Sequence, residues 1–433
     1  MASAGSARGL GSRDVSDFPR DETWSDDERR AHQRARLDAM LREILRTNAF
    51  YRRKLGDAVS VDAWGALPFT TKTELSQDQA EHPPYGTALT YPLERYVRLH
   101  QTSGTTGMPL RILDTAESWR WWADLWVRVY RAAGVTASDR VYFAFSFGPF
   151  IGFWSAFAGA EALGALCISG GAQTSAERLA QIVATEATVL LCTPTYALRL
   201  AEVAREGGID LSSSKLRVAI HAGEPGASIP ATRERIESAL GLLAYDHTGA
   251  TEVGATGFSC EARDGVHLVE SEFKVEILDA SGLSHEEGEG ELVLTNLGRW
   301  GSPVIRYRTG DRVKAVRGRC ACGRTLVKLV GGIQGRVDDM VTVRGVNVFP
   351  SVLEGIVRRF TEVGEFRIEL YRERGMDALR CAVEPTAAAD TGLPARIAEA
   401  IHRDVGIRCV VTVAAPGTLP RFEAKAQRFV RVT

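Results

Sequence analysis

No apolar run in this sequence approaches the roughly 18 residues needed to cross a bilayer. The N-terminal stretch MASAGSARGLGSRDVSDF lacks the apolar centre of a secretory signal. Neither sign of charge dominates: 53 Lys and Arg against 54 Asp and Glu leave a formal net charge of −1. That balance excludes an electrostatic case for nucleic acid or a membrane surface as partner. Cysteine is scarce and odd in number, seven in 433 residues, which excludes a disulfide framework as the source of stability. Low-complexity tracts and internal repeats are also missing. These absences leave a globular protein with an ordinary core, expected in the cytoplasm.

The small, polar residues 1–22 are expected to form a disordered tail. From Trp24 to Leu55, apolar residues such as Leu37, Met40, Leu41 and Leu45 recur at helical spacing. A Trp-rich helix follows Thr115 and ends at Gly134. Beyond it, strand-like runs (RVYFAF, ALCIS, TVLLCTP, LRVAIHAG) alternate with helical ones (SAERLAQIVATE, ATRERIESALG). Such alternation predicts an α/β layered core on a mainly parallel sheet. After Gly265 the period changes to two, in HLVESEFKVEIL, GELVLTNL and VIRYRTGDRVKAV, which predicts an antiparallel subdomain. The predicted fold class is therefore α/β. A large N-terminal domain spans 23–337, its β subdomain lies at about 260–335, and a small mobile α+β domain spans 338–433.

Three segments carry chemistry. In LHQTSGTTGMPLRI, a strand-like entry meets Thr102, Ser103, Gly104, Thr105, Thr106 and Gly107. Glycines let the backbone approach an anion, and successive N–H groups and hydroxyls can surround phosphate oxygens. A plain polar turn fits the same residues, and no Gly-Lys-Ser/Thr follows to make a P-loop. In AYDHTGATEVG, a short strand ends in a turn holding His247, Thr248, Thr251 and Glu252. Glu252 is placed to hold Mg²⁺ or, equally, to cap a helix. In SPVIRYRTGD, Asp311 can accept hydrogen bonds from a ribose diol or sit as a solvated turn residue.

Taken together, in this order and spacing, the segments resemble the adenylate-forming superfamily of acyl-CoA synthetases, and within it the phenylacetate-CoA ligase-like branch. RGVNVFPSVLEGIV after GRVDD, LPRFEAKAQR near the C-terminus and the short total length add to the likeness, which runs from about Phe50 to the end. The resemblance implies ATP, Mg²⁺ and coenzyme A as cosubstrates and cofactor, with a small carboxylic acid as substrate. It implies that TSGTTG is the phosphate loop and Glu252 the Mg²⁺-organising acid. Asp246, His247, Thr248 and Thr251 would lie at the nucleotide, and Gly223, Glu224 and Pro225 would form the adenine-side loop. Asp311 and Arg336 would bind at the ribose. Asp338 would be the hinge between domains, Gly345 would line the pantetheine passage, and Lys425 would be the mobile catalytic lysine. Two positions depart from the family: Met108 stands where a basic residue is common, and Thr248 where a Tyr is common.

The aromatic run FAFSFGPFIGFW offers Phe147, Gly148 and Phe150 as a flat pocket for an aromatic acid, or as ordinary core packing. Cys167, Cys192, Cys381 and Cys409 sit in apolar runs and read as reduced core residues. Cys260, Cys320 and Cys322 lie in polar turns. With His267 they offer three thiolates and an imidazole, a set suited to structural Zn²⁺; unrelated reduced cysteines are the other reading. The leading functional expectation is an aryl-CoA ligase. The alternatives are adenylation with another acceptor (an amine, a carrier-protein thiol) or of another group, and a nucleotide-binding regulator without activity. A homodimer is compatible with all of them.

Overall fold

The structure is a computed structural model that describes residues 18–56, 59–102, 109–211, 214–344, 346–373, 376–386, 389–422 and 426–432. The chain opens with α1 (Asp26–Thr47), α2 (Ala49–Leu55) and α3 (Lys72–Glu81), followed by an antiparallel ribbon, β1 (Tyr96–Gln101) and β2 (Arg111–Thr115). Strands and helices then alternate: α4 (Ala116–Ala132), β3 (Arg140–Phe143), α5 (Ile151–Leu163), β4 (Leu166–Ser169), α6 (Ser175–Ala184), β5 (Val189–Cys192), α7 (Pro194–Glu206), β6 (Val218–His221), α8 (Pro230–Leu240) and β7 (Leu243–Ala250). Local sequence starts several of these helices. Ser25 with Glu28, Thr71 with Glu74 and Thr174 with Glu177 each form a reciprocal capping box.

Strands β3 to β7 are parallel, in the order β4-β3-β5-β6-β7. The antiparallel part comprises β8 (Gly254–Phe258), β9 (Gly265–Leu268), β10 (Phe273–Leu278), β11 (Ser284–His285), β12 (Gly288–Asn296), β13 (Tyr307–Val316), β14 (Lys328–Val330) and β15 (Gly335–Arg336). It does not stand apart as a second sheet. The β7–β8 hairpin joins both halves into one 13-stranded sheet. Helix α4 lies against this junction, with Trp122 and Trp126 buried.

The rest of the chain builds β16 (Val341–Val343), β17 (Val346–Val348), α9 (Pro350–Arg358), β18 (Val363–Glu373), β19 (Met376–Pro385), α10 (Leu393–Val405), β20 (Cys409–Val413) and β21 (Phe429–Arg431). Its four-stranded sheet runs β20-β19-β18-β21. It has its own hydrophobic core, from Val341 to Cys409, separate from the core that runs from Leu37 to Leu329.

Residues 18–22, expected in the disordered tail, are instead built into the fold. Phe18 is buried against the Arg324 guanidinium at 4.0 Å, and Glu22 is buried and bonded to Arg324 Nε at 2.6 Å. Two buried partners for one arginine outweigh the polar composition that suggested disorder. None of the helices described is long and apolar enough to cross a membrane.

Candidate active site

The candidate residues gather at the C-terminal ends of the parallel strands and on the adjoining antiparallel strands, where open α/β sheets bind ligands. Thr102 closes the base of the first loop: its N–H donates to Leu110 O (3.1 Å) and its Oγ1 accepts from Leu110 N (3.0 Å). Ser103, Gly104, Thr105, Thr106, Gly107 and Met108 lie outside the described residues, as do Gly345 and Lys425.

Strand β2 leaves that loop and carries Asp114, whose carboxylate holds Arg299 in a bidentate pair (2.7 and 2.6 Å). Both side chains are fully buried. Arg299 in turn donates to the carbonyls of Thr251 (2.7 Å) and Glu252 (3.3 Å). Strand β2 and the Glu252 turn are thus cross-braced by one guanidinium. Glu252 is buried and pairs with Lys72 at 3.2 Å. Lys72 reaches it because Thr70 bonds into the strand entering β13 (Thr70 N to Arg306 O, 3.0 Å; Arg308 N to Thr70 O, 2.9 Å). Tyr307 also bonds Glu252; burial, then that carboxylate, pushes the phenol well above its ordinary range. Lys72, Asp114 and Arg299 escaped sequence reasoning. Lys72 reads as a residue inside a helix-capping box, and nothing local marks the other two as a pair.

Asp246, on β7, accepts the N–H groups of Ala227 (3.0 Å) and Ser228 (2.6 Å), so the second motif grips the loop that begins at Gly223. Burial raises its carboxyl to about 6 against the pull of these bonds. Next along the strand, His247 faces the other way and packs on Trp126 at 4.2 Å between ring centroids. Thr248 Oγ1 shares a 2.6 Å hydrogen bond with Thr256 Oγ1. Gly223, at φ +94°, opens the β6–α8 loop in a conformation that favours glycine. Glu224 then spans two domains: its carboxylate accepts Thr195 N (2.8 Å) and Ala426 N (3.1 Å). Ala426 directly follows Lys425 in sequence. Pro225 follows in the same loop.

Asp311 lies within β13 and faces Arg336 of β15 in register, with Nη1 at 3.5 Å from the carboxylate. Arg336 also holds Asp338 at 2.8 and 3.1 Å. Burial alone would raise the Asp338 carboxyl; the hydrogen bond and charge of Arg336 lower it instead. Gly310, at φ +76°, makes this approach feasible, since a Cβ there would lie 2.5 Å from Arg336 Nη2.

The three residues offered as a pocket differ in environment. Phe147 packs among Trp154, Phe157 and Phe143, while Phe150 is 41% exposed beside Gly148. The loop carrying them abuts the end of β1, since Gln101 N bonds Pro149 O at 2.9 Å.

Away from this region, Cys260, His267, Cys320 and Cys322 come together, their ligand atoms all within 4.8 Å of one another. Strand pairing does this: β9 carries His267, and Lys328 of β14 faces it just past the Cys320–Cys322 turn. His267 Nδ1 is 3.1 Å from Leu326 O, so Nδ1 carries the proton and Nε2 is left to face the thiols.

A parallel-to-antiparallel sheet with nucleotide-type loops at its strand ends, under a second small domain, defines a class of two-domain nucleotide-handling enzymes. The chain belongs to the AMP-binding enzyme family of AMP-forming ligases. Residues 46–298 match the model for the AMP-binding enzyme, and 345–431 match that for its C-terminal domain. The phenylacetate-coenzyme A ligase of Pseudomonas putida is 34% identical over 427 residues, 94% of each chain. Among solved structures, 2-hydroxyisobutyryl-CoA ligase in its postadenylation state with R3-HIB-AMP aligns with TM-score 0.90 and 31% identity, covering 98% of this chain and 94% of that one. The same enzyme in its thioesterification state, with 2-HIB-AMP and CoA, gives 0.72 at 32% identity, over 96% and 92%. The domain arrangement of the present structure is therefore close to the postadenylation one.

Proposed function

We propose that the chain uses ATP to convert an aromatic or arylacetic acid into its acyl-adenylate and then transfers the acyl group to coenzyme A. The observation that carries this reading is the hydrogen bond from Ala426 N, the residue after Lys425 in sequence, to Glu224 of the loop that follows β6. The acid's carboxylate oxygen attacks the α-phosphorus of ATP, and pyrophosphate leaves. Catalysis then consists of holding the two anions together and neutralising charge. Lys425 would supply that charge at the α-phosphate. Asp311 and Arg336 would orient the ribose, Asp246 the adenine end, and Thr102 with the TSGTTG loop the phosphates. Mg²⁺, held by Glu252, would supply further neutralisation; Lys72 and Tyr307 fix where that carboxylate points. Thiol attack on the acyl carbon would follow once Lys425 withdraws, with rotation about Asp338 bringing Gly345 to the passage.

The cysteine cluster fits a structural Zn²⁺: three sulfurs and one imidazole whose Nε2 faces them supply four donors, carried by strand β9 and by the turns that precede β9 and β14. All seven cysteines are free, which suits a reducing compartment such as the cytoplasm. The test of the main reading is Lys425→Ala. Acid-dependent pyrophosphate exchange is expected to fall about 10²-fold or more, while thioester formation from supplied acyl-adenylate survives. Equal loss in both steps would refute it.

A further inference from the structure

Helix α3 is anchored at both ends before it reaches the candidate site. Ahead of it, Thr70 is buried and bonds the backbone on either side of Tyr307, and Thr71 with Glu74 closes the first turn. Toward its other end, buried Asp78 accepts Arg53 Nη2 (2.9 Å), Thr87 N (2.6 Å) and Thr87 Oγ1 (2.6 Å). Lys72, Leu75 and Gln79 stand at i, i+3 and i+7, so they share one face of this helix. Lys72 reaches Glu252. Gln79 reaches Arg111: its Nε2 donates to Arg111 O at 2.6 Å, and its Oε1 accepts Arg111 N at 3.0 Å. Between these two contacts lies a cavity of about 30 Å³, lined by Leu75, Gln79, Leu110, Ile112 and Glu252, with room for a single water.

An amide that takes both backbone groups of one residue stands in for a neighbouring strand. Arg111 is the first residue of β2, and Gln101, opposite it, sends its own N–H to Pro149 O instead. Thr102 and Leu110 bond across the ribbon at the point where the intervening segment leaves and returns. Gln79 therefore secures the chain one residue past that crossing. The securing matters because residues 102–109 offer four hydroxyls and no Lys or Arg. Such a segment binds an anion through where its N–H and O–H donors stand rather than through a charge.

We propose that Gln79 is a positioning residue for polyphosphate. By holding Arg111 from α3, it fixes the return of the 102–110 segment relative to Glu252, which Lys72 holds from the same helix face. This rests on the phosphate-loop reading above. The consequence is selective. ATP and pyrophosphate draw on that segment, whereas AMP draws mainly on Asp311, Arg336 and the 223–228 loop.

The experiment measures binding of ATP, pyrophosphate and AMP, each with Mg²⁺, by calorimetry on the full chain. The chain would be tested unaltered and as Gln79→Leu and Gln79→Glu. Gln79→Leu loses both bonds; Gln79→Glu keeps the size and the acceptor but cannot donate to Arg111 O. Each variant should bind ATP and pyrophosphate about three- to tenfold more weakly, and AMP within about twofold of the unaltered chain. The KM for ATP in acid-dependent pyrophosphate exchange should rise by the same factor, while that for the acid stays put. A parallel fall for all three ligands marks a merely structural residue and overturns the proposal. Unchanged affinity for ATP and pyrophosphate in both variants overturns it too, as does a KM change confined to the acid. An unaltered chain that binds AMP but neither ATP nor pyrophosphate overturns the phosphate-loop reading itself, and the inference with it.

Discussion

Arg299 sits at 0% exposure with a single carboxylate, Asp114, to balance it, and spends its remaining donors on the carbonyls of the Glu252 turn. Removing one member of a buried pair strands the other, at a cost of about 3–5 kcal/mol, whereas removing both with apolar replacements is often close to neutral. Arg299→Met is therefore expected to lower urea-unfolding stability by about that amount. Arg299→Met with Asp114→Leu should recover most of the stability but not the exchange activity, because the turn has lost its brace. If the double variant regains both, the brace has no role at the site. This pair was invisible in the sequence, where 184 positions separate its members and each reads as an unremarkable charge. The histidines make a second case. Burial lowers His100, His221 and His247 to about 4 each. Above about pH 6.5 each ring is neutral in both folded and unfolded chains, so stability is unaffected. Between about 6.5 and 4 the unfolded chain takes up protons that the folded one refuses, so stability falls with pH. The Tm should drop steadily as pH is lowered from 7 to 5, and His247→Gln should flatten the slope. A Tm independent of pH over that range would mean that these rings titrate normally.

At the scale of elements, periodicity foretold the alternating half and the antiparallel half. It could not tell that β7 and β8 fuse them into one sheet, because a period of two gives a strand's faces and not its partner. The same limit applied to the cysteines: residue types suggested a set, but only the pairing of β9 with β14 brings His267 within reach of Cys260, Cys320 and Cys322. A metal there would staple three segments, since the adjoining Arg324 is bonded to Glu22 and stacked on Phe18. Protein produced with zinc available should contain about one Zn²⁺ per chain. Cys322→Ser should lower bound zinc and Tm together, and should expose the chain near Phe18–Glu22 to proteases. Elemental analysis without zinc would remove the metal; unchanged cleavage alongside zinc loss would remove its link to the N-terminal segment.

The whole molecule is held in its present arrangement by a polar seam between the two cores. Arg428 forms a bidentate pair with Glu365 inside the small domain (2.5 and 2.9 Å) and donates across the seam to Thr195 Oγ1 at 3.0 Å. Beside it, Glu224 accepts Ala426 N, Arg235 donates to Val363 O at 3.0 Å, and Arg421 faces Glu202 at 3.5 Å. The family resemblance placed a hinge and a travelling lysine, but the residues that hold one state lay in segments without any motif. These contacts belong to the arrangement that matches the postadenylation structure, so a rotated small domain would have to give them up. A hydrogen bond to a charged group is worth about 1.5–3 kcal/mol, enough to shift a two-state equilibrium by roughly 10- to 150-fold. Thr195→Val removes the acceptor while keeping the shape of the α7 start and the Arg428–Glu365 pair. Acid-dependent pyrophosphate exchange should then fall by about three- to tenfold, less than the full shift if the docked state is initially in excess. Thioester formation from supplied acyl-adenylate should be unchanged or faster, because the state in which the proposed role of Lys425 is over would be more populated. Thr195→Ser, which retains the hydroxyl, should behave like the unaltered enzyme. Equal loss in both half-reactions would show that Thr195 serves folding rather than the choice of state, and no loss in either would show that the seam does not hold the lysine in place.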